Sequence, residues 1–150
     1  MADLTTNLGR EYQGPITKSR YDVGANLEVF AGQAICAGTG GVINAAAGGG
    51  DFVGFAVEYV NNLTNAVPHG GAARAAKVEI AIAGFVWLTI AKGGAIVFGD
   101  IGLPVYATDG NTFDLADAGT DILVGRIKNV DYALGDSTGS CLVQFGYRDS

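Results

Sequence analysis

The stretch 102-GLPVYATDGNTFDLADAGTDILVGRI-127 decides the fold class, because it reads as three short β-strands separated by turns. Val105–Ala107 and Thr112–Leu115 are expected to form a hairpin, since the Asp109-Gly110 dipeptide between them readily adopts the positive φ angles of a tight turn. After a polar loop, Ile122–Ile127 is predicted to form the third strand. The stretch is therefore expected to be a compact β unit that serves as scaffold.

A fainter copy of this unit precedes it. The corresponding pairs are Ile35-Cys36-Ala37 with Val105-Tyr106-Ala107, Val42-Ile43 with Thr112-Phe113, Val53-Gly54 with Val124-Gly125, and Val78–Ile82 with Cys141–Phe145. Internal repeats of this kind indicate that one supersecondary unit is used twice. The identities are few and any two hairpins share some pattern, so duplication and coincidence both stay open. The prediction is two pseudo-repeats, at about 32–82 and 102–145, within one β domain of residues 25–150.

Residues 78–91 carry the clearest single pattern. Every even position from Val78 to Ile90 is apolar or glycine, which is the period of two that a strand with one buried face requires. Fourteen residues exceed an ordinary strand, and Gly84 is a natural bend at which the strand changes sheets. Phe85 and Trp87 lie on the second face, either beneath another sheet or exposed at an interface.

Composition supports an all-β protein. Glycine accounts for 24 of the 150 residues and 49% of the chain is hydrophobic, so many turns separate short apolar runs around a core. No segment shows a convincing amphipathic helix. The sequence predicts a small β-sandwich or jelly roll, or a barrel-like domain, because all of these show short alternating strands.

The charge narrows the class of partner. A net charge of −6 argues against nucleic acid, which requires a basic surface. No run approaches the roughly 18 apolar residues of a membrane span, and no secretory signal is recognisable, so we expect no membrane partner and a cytoplasm-like site of synthesis. Cys36 and Cys141 lie in apolar strand patterns and are expected to be buried free thiols.

Residues 1–24 are predicted to form an extended N-terminal arm, since they lack either apolar period and contain Pro15. They hold as many basic as acidic residues, so the body carries the whole net charge. The alternatives are a disordered terminus and an arm that lies on a neighbouring subunit or adds a strand to a partner sheet. For the second, the candidate contact residues are Leu8, Arg10, Tyr12, Ile16, Lys18, Arg20 and Tyr21.

The long segment 61–76 is a second candidate contact site. It reads as a surface loop, and its candidate contact residues are Pro68, His69 and Arg74. His69 is the only histidine, and without a nearby cysteine or carboxylate cluster it is expected to be solvated rather than catalytic.

No constellation for catalysis or for a cofactor is recognisable. No serine lies in a nucleophile elbow, and the glycine clusters at 38–41 and 48–50 lack the lysine and the following helix of a phosphate loop. The acidic run from Asp109 to Asp121 departs from the EF-hand pattern, because Phe113 occupies a ligand position and the final glutamate is missing. We therefore predict no enzyme activity, no cofactor and no metal.

The second unit resembles the capsid decoration (cement) proteins of tailed bacteriophages. The residues that carry the resemblance are Gly99-Asp100, Val105-Tyr106, Val124-Gly125-Arg126-Ile127 and Leu142-Val143-Gln144-Phe145, with related pieces at Gly32-Gln33-Ala34 and Val53-Gly54-Phe55-Ala56. The match covers roughly residues 25–147 and rests on short, glycine-based motifs.

The resemblance implies a structural virion protein. Such a protein is made in the host cytoplasm, binds the outer surface of the phage head, and stabilises the mature capsid by bridging subunits of the major capsid protein. It implies a homo-oligomer, either a dimer or a trimer, and binding multiplied by the symmetry of the shell. Two other classes stay open. One is another phage β module such as a fibre, spike or tail component, and the other is a small-ligand-binding β barrel with a pocket at Trp87 or Tyr106.

Overall fold

The protein is nearly all-β. A computed structural model describes residues 3–46, 49–91, 96–115, 119, 121–131 and 138–146. Strands account for 55% of the chain, no α-helix is present in these ranges, and the main sheet curls into a half-barrel. The all-β prediction is thereby confirmed, in its barrel-like form.

Eleven strands and one short 3-10 helix make up the described elements. In chain order they are β1 (Tyr12–Asp22), β2 (Leu27–Val29), β3 (Ala34–Ala37), β4 (Val42–Asn44), β5 (Phe52–Ala56), β6 (Val60–Asn62), β7 (Lys77–Ala91), the 3-10 turn Phe98–Asp100, β8 (Pro104–Asp109), β9 (Thr112–Asp114), β10 (Ile122–Val130) and β11 (Thr138–Phe145). Nine strands form one sheet, in which β1 and β11 pair with β7, and β2 and β6 pair separately.

Strand β7 is the central element of this sheet. Its even-numbered face is buried as predicted except at the half-buried Ile82, with Val78, Ile80 and Val86 fully inaccessible. Along one edge β7 pairs first with β5, opposite Ala81, and then with β11, whose last residue Phe145 lies opposite Gly84. The strand therefore changes partners near Gly84 but stays within one sheet, so the expected change of sheet does not occur. Phe85 and Trp87 on the other face are half-buried.

The pairings around the C-terminal half of β7 close a circuit. From β7 the ladder passes through β11, β10, β8 and β9, and it returns to β7 through a parallel bridge between Asp114 and Ala91. Side chains from these strands and from β5 form the larger of two buried apolar clusters, which contains Phe55, Phe113 and Phe145. The circuit explains the barrel-like curl of the sheet.

The two units share one strand order. In the first, the order is β4-β3-β5-β7, and in the second it is β9-β8-β10-β11. The registers also correspond, because Ile35 lies opposite Gly54 and Val105 lies opposite Gly125. In both ladders the valine that precedes the glycine has no partner in the register, so each Val-Gly dipeptide forms a bulge.

Each bulge glycine lies against the backbone of the next strand. A β-carbon at Gly54 would be 1.9 Å from the carbonyl oxygen of Ala81, and one at Gly125 would be 1.9 Å from that of Gln144. Ala81 and Gln144 occupy equivalent places in β7 and β11. The glycine of the Val-Gly dipeptide that both halves share is therefore required, because a side chain there would clash with the backbone of the neighbouring strand.

The hairpin turn differs from its sequence-based prediction. Asp109 pairs with Thr112, so Gly110 and Asn111 form a two-residue loop. The expected positive φ is wrong for Gly110, whose φ lies outside the left-handed region. Glycine is required there for space, since a β-carbon would be 1.4 Å from Nε2 of the buried Gln33.

Segment 1–24 also differs from the expectation of a separate arm. Residues 12–22 form β1, which pairs with β7 of the same chain from Tyr12 opposite Val86 to Asp22 opposite Lys77. The register shifts between Gln13 and Thr17. This irregularity moves side chains from one face to the other, which explains why the sequence shows no continuous period of two.

Candidate functional site

The ten predicted contact residues fall into different environments. Leu8, Arg10, Tyr12 and Ile16 lie where the chain enters the sheet and packs on the larger apolar cluster, which includes Tyr12 and Ile16 at its margin. The remaining residues lie on the exposed part of β1 and on the loop after β6. The structure therefore does not bring them together as one surface.

Arg10 is bound within its own chain. Its Nε donates to the carbonyl oxygen of Gly32 at 2.8 Å, and Nη2 donates to Oδ1 of Asn111 at 2.8 Å. Its guanidinium carbon lies 5.4 Å from the ring centroid of Phe55 and 5.3 Å from that of Phe113. Burial lowers the pKa of Arg10 to about 10, so the group stays charged at neutral pH. These contacts give Arg10 an intramolecular role.

Tyr12 and Ile16 are likewise directed inward. The ring centroid of Tyr12 lies 6.4 Å from that of Phe145, and burial raises the pKa of Tyr12 to about 12. Ile16 covers Gly84 of β7, since a β-carbon added at Gly84 would lie 2.9 Å from Cγ2 of Ile16. Leu8 is 39% exposed, and its backbone N–H donates to the carbonyl oxygen of Ala31 at 2.8 Å.

Lys18 and Arg20 are exposed on β1 and remain candidates for contact with a partner. Nζ of Lys18 lies 3.6 Å from Glu79, and Nη1 of Arg20 lies 3.9 Å from Glu58. Ion pairs at such exposed positions contribute less than about 1 kcal/mol to stability. Both cations can therefore exchange these partners for others at little cost. Tyr21, the next residue, is half-buried.

The loop after β6 is exposed at its tip and held at its base. Val67 is 92% exposed, and Pro68 and Arg74 are exposed as well. Nδ1 of His69, half-buried, lies 3.2 Å from the carbonyl oxygen of Ala75, which requires a proton on Nδ1. The backbone N–H of Arg74 donates to Val23 at 2.9 Å, which places Arg74 beside the end of β1.

Asn62 organises the base of this loop and was missed by sequence reasoning. Its fully buried amide donates to the carbonyl oxygens of Gly24 at 3.0 Å and Ala72 at 2.9 Å, and it accepts from the N–H of Gly71 at 3.1 Å. The available signal was the polar pair Asn61-Asn62 at the start of the segment 61–76.

Three large apolar side chains of the segment 98–103 are exposed, and sequence reasoning also missed them. Phe98 is 60% exposed, Ile101 43% and Leu103 40%. We call these three residues the apolar ridge. Exposed large apolar side chains that lie close together in the chain are candidates for an interaction surface. The available signal was three apolar residues in a glycine-punctuated segment without strand alternation.

A shallow groove lies between the bulged strands of the two units. It has a volume of about 710 Å³ and is lined by Val53 of the first bulge, by Val124 and Gly125 of the second, by Phe52, and by the carboxylates Asp51 and Asp121. Neither Trp87 nor Tyr106 lines it. The pocket that a small-ligand barrel was expected to show at those residues is therefore not this groove.

The acidic run does not assemble a metal site within the described ranges. One oxygen of Asp109 accepts from the N–H of Asn111 at 2.8 Å and the other from the hydroxyl of Thr112 at 3.0 Å, so this carboxylate stabilises its own turn. Among the described residues no group of three or more His, Cys, Asp or Glu side chains is placed to hold a metal. Asp117, also in the run, lies outside the described residues.

Both cysteines are buried, and neither forms a disulfide. Both are fully inaccessible, and burial raises the pKa of the Cys36 thiol. Because the thiolate is the reactive form, neither cysteine is expected to react with a thiol reagent such as DTNB in the native protein, whereas both should react in denaturant. Rapid labelling of either cysteine under native conditions would contradict this placement.

Within the described ranges, no helix has the length and apolarity needed to cross a membrane. No protein-family model matches the sequence, and no curated protein matches it.

Proposed function

We propose that the protein is a structural virion component that binds the outer surface of a phage head and bridges subunits of the major capsid protein. The observation that favours this function is the apolar ridge, which is presented by a strand-paired β body. An exposed ridge on a rigid body suits binding to another protein surface. The resemblance of the second unit to capsid decoration proteins supports the same function.

Under this proposal, affinity arises from many copies. Each copy contributes a modest interface, and the regular lattice of the shell places copies at repeated sites, where an oligomer gains avidity. A homodimer or homotrimer fits this mode of binding. Under this proposal no catalysis is required, because the protein acts by binding the surface of the shell and bridging its subunits.

The test uses purified protein and empty heads of the phage whose genome encodes this chain. Expanded and unexpanded heads are incubated with the protein and sedimented. The expected result is that the protein sediments with expanded heads and raises the temperature at which they disrupt, since a ligand of the assembled form stabilises that form. Sedimentation with neither form of head would overturn the proposal.

The exposed cations of β1 allow a finer test of the predicted arm contacts. Deleting residues 1–20 is unsuitable, because it removes Arg10 from the core and most of β1 from the sheet. The double substitution Lys18→Ala and Arg20→Ala keeps both Arg10 and the strand β1 in place. If these cations contact the shell, head affinity is expected to fall about tenfold, which corresponds to about 1.4 kcal/mol. An unchanged melting temperature serves as the control, and unchanged head affinity would exclude these two contacts.

A further inference from the structure

The two units are equivalent beyond their strands, in the turns that lead into β3 and β8. Ala31, Gly32 and Gln33 correspond to Ile101, Gly102 and Leu103. Three backbone hydrogen bonds recur in both turns. In the first unit they run from Gly32 N to Ala56 O, from Gln33 N to Phe30 O and from Ala56 N to Gln33 O. In the second unit they run from Gly102 N to Ile127 O, from Leu103 N to Asp100 O and from Ile127 N to Leu103 O. Both glycines adopt the left-handed region, with φ of 91° and 95°.

In the first unit this turn is covered by the chain's own N-terminal segment, residues 3–10. The N–H of Leu8 donates to Ala31 O at 2.8 Å, and the N–H of Ala31 donates to Oδ1 of Asn7 at 2.9 Å. The carbonyl oxygen of Leu8 lies so close to Gly32 that a β-carbon there would be 2.4 Å from it. An extended chain thus binds along the turn through the backbone of Leu8 and the side chain of Asn7.

In the second unit the equivalent turn is exposed. A β-carbon at Gly102 would meet no atom within 4 Å, and the ridge residues Ile101 and Leu103 are 43% and 40% exposed. By contrast, Gln33, the equivalent of Leu103, is fully buried. The N–H of Ile101 bonds within its own turn, to Phe98 O, and no segment of the described residues takes the place that Leu8 has on Ala31.

The side chains define what can bind there. The first unit has Glu28, Ala31 and Gln33, where the ridge has Phe98, Ile101 and Leu103. In the first unit Arg10 of the covering segment donates to the carbonyl oxygen of Gly32. In the second unit, Nη1 of Arg126 from β10 already donates to the carbonyl oxygen of Gly102, at 3.1 Å. A segment that binds the ridge therefore needs no cation at this point and has an apolar surface to match.

We propose that the apolar ridge binds an extended, uncharged, apolar segment of the major capsid protein, in the way that residues 3–10 bind the first unit. This inference rests on the proposed function and specifies its contact. A second copy of this chain fits less well, because its residues 3–10 are mostly polar and already bound to its own first unit.

The first experiment tests whether a partner chain approaches Gly102. Gly102→Ala should abolish at least nine-tenths of head binding, since the added methyl group occupies the place where a bound backbone would lie. Gly70→Ala is the matched control, because Gly70 also has a left-handed φ, of 84°, and no atom within 4 Å of a β-carbon. Both variants should show a similar small drop in melting temperature, and only the first should lose binding.

The second experiment identifies the occupant. The photoreactive residue p-benzoylphenylalanine replaces Phe98, or Tyr59 as a 43% exposed aromatic control beside the first unit. Irradiation of protein bound to expanded heads should crosslink position 98, and not position 59, to an apolar segment of the major capsid protein. Crosslinking between two copies of this chain would overturn the assignment of the occupant.

The two proposals fail in different ways. If the wild-type protein binds heads but Gly102→Ala binds equally well, or if position 98 does not crosslink to the shell, then the ridge is not the contact and the proposed function stands. If the wild-type protein does not bind heads, both proposals fail. Leu103→Gln, which installs the first unit's residue, provides a further check, and about a tenfold loss of head affinity is expected.

Discussion

Gly54→Ala is expected to lower the free energy of unfolding by about 3 kcal/mol, the upper range for overpacking of a well-packed site. A β-carbon at this position would lie 1.9 Å from the carbonyl oxygen of Ala81 in β7. The obstacle is backbone, so a side-chain rotation cannot relieve it. The ladder between β5 and β7, which pairs Phe55 with Ala81, must open instead.

The same loss is expected for Gly125→Ala, since its β-carbon would lie 1.9 Å from the carbonyl oxygen of Gln144. Gly9→Ala is the control, because a β-carbon at Gly9 meets no atom within 4 Å and its φ is not left-handed. Its effect should stay within about 0.5 kcal/mol. Urea-induced unfolding, followed by circular dichroism, measures all three. A normal stability for either bulge variant would contradict the close strand packing.

Arg10→Ala is the second substitution for which we expect a large loss, also about 3 kcal/mol. It removes hydrogen bonds to the carbonyl oxygen of Gly32 and to Asn111, and it leaves the buried carbonyl without its donor. It also removes a cation from between the rings of Phe55 and Phe113, a contact that contributes about 1 kcal/mol or more when desolvated.

Two further variants make this result specific. Arg10→Lys keeps the charge but lacks the planar fork that reaches both acceptors, so we expect it to restore less than half of the lost stability. Lys18→Ala, on the exposed side of β1, should change the free energy of unfolding by less than about 0.5 kcal/mol. Thermal and urea unfolding of the set provide the measurement. Equal stabilities of Arg10→Ala and Lys18→Ala would show that Arg10 is not part of the core.

These two predictions concern different links in the fold. The bulge glycines set the distance between strands within each unit. Arg10 instead ties residues 3–10 to both units, because Gly32 belongs to the first and Asn111 and Phe113 to the second. Loss of Arg10 is therefore also expected to loosen residues 3–10 from the turn at Gly32. That turn would then become exposed, as the equivalent turn at Gly102 is. That consequence can be followed by proteolysis near Leu8.

The candidate site was only partly accessible to sequence reasoning. The loop tip at Val67 and Pro68 and the cations Lys18 and Arg20 are exposed, as a contact surface requires. Arg10 was grouped with them because a charged residue in an irregular segment normally faces solvent. Its burial depends on two aromatic rings and a carbonyl group that lie 22 to 103 residues away in the chain. The apolar ridge was missed because apolar residues are expected to be buried.

The sequence by itself determined the local structure. Alternation along residues 78–91 specified a strand with one buried face, because side-chain direction alternates from one residue to the next, and the matched Val-Gly pairs indicated two similar units. Only the tertiary structure decided which strands pair, that β1 joins its own sheet, and that Gly110 is needed for space beside Gln33 rather than for its φ. It also decided that one of two equivalent turns is covered and the other exposed. These outcomes depend on contacts between residues far apart in the chain, and no local pattern encodes such contacts.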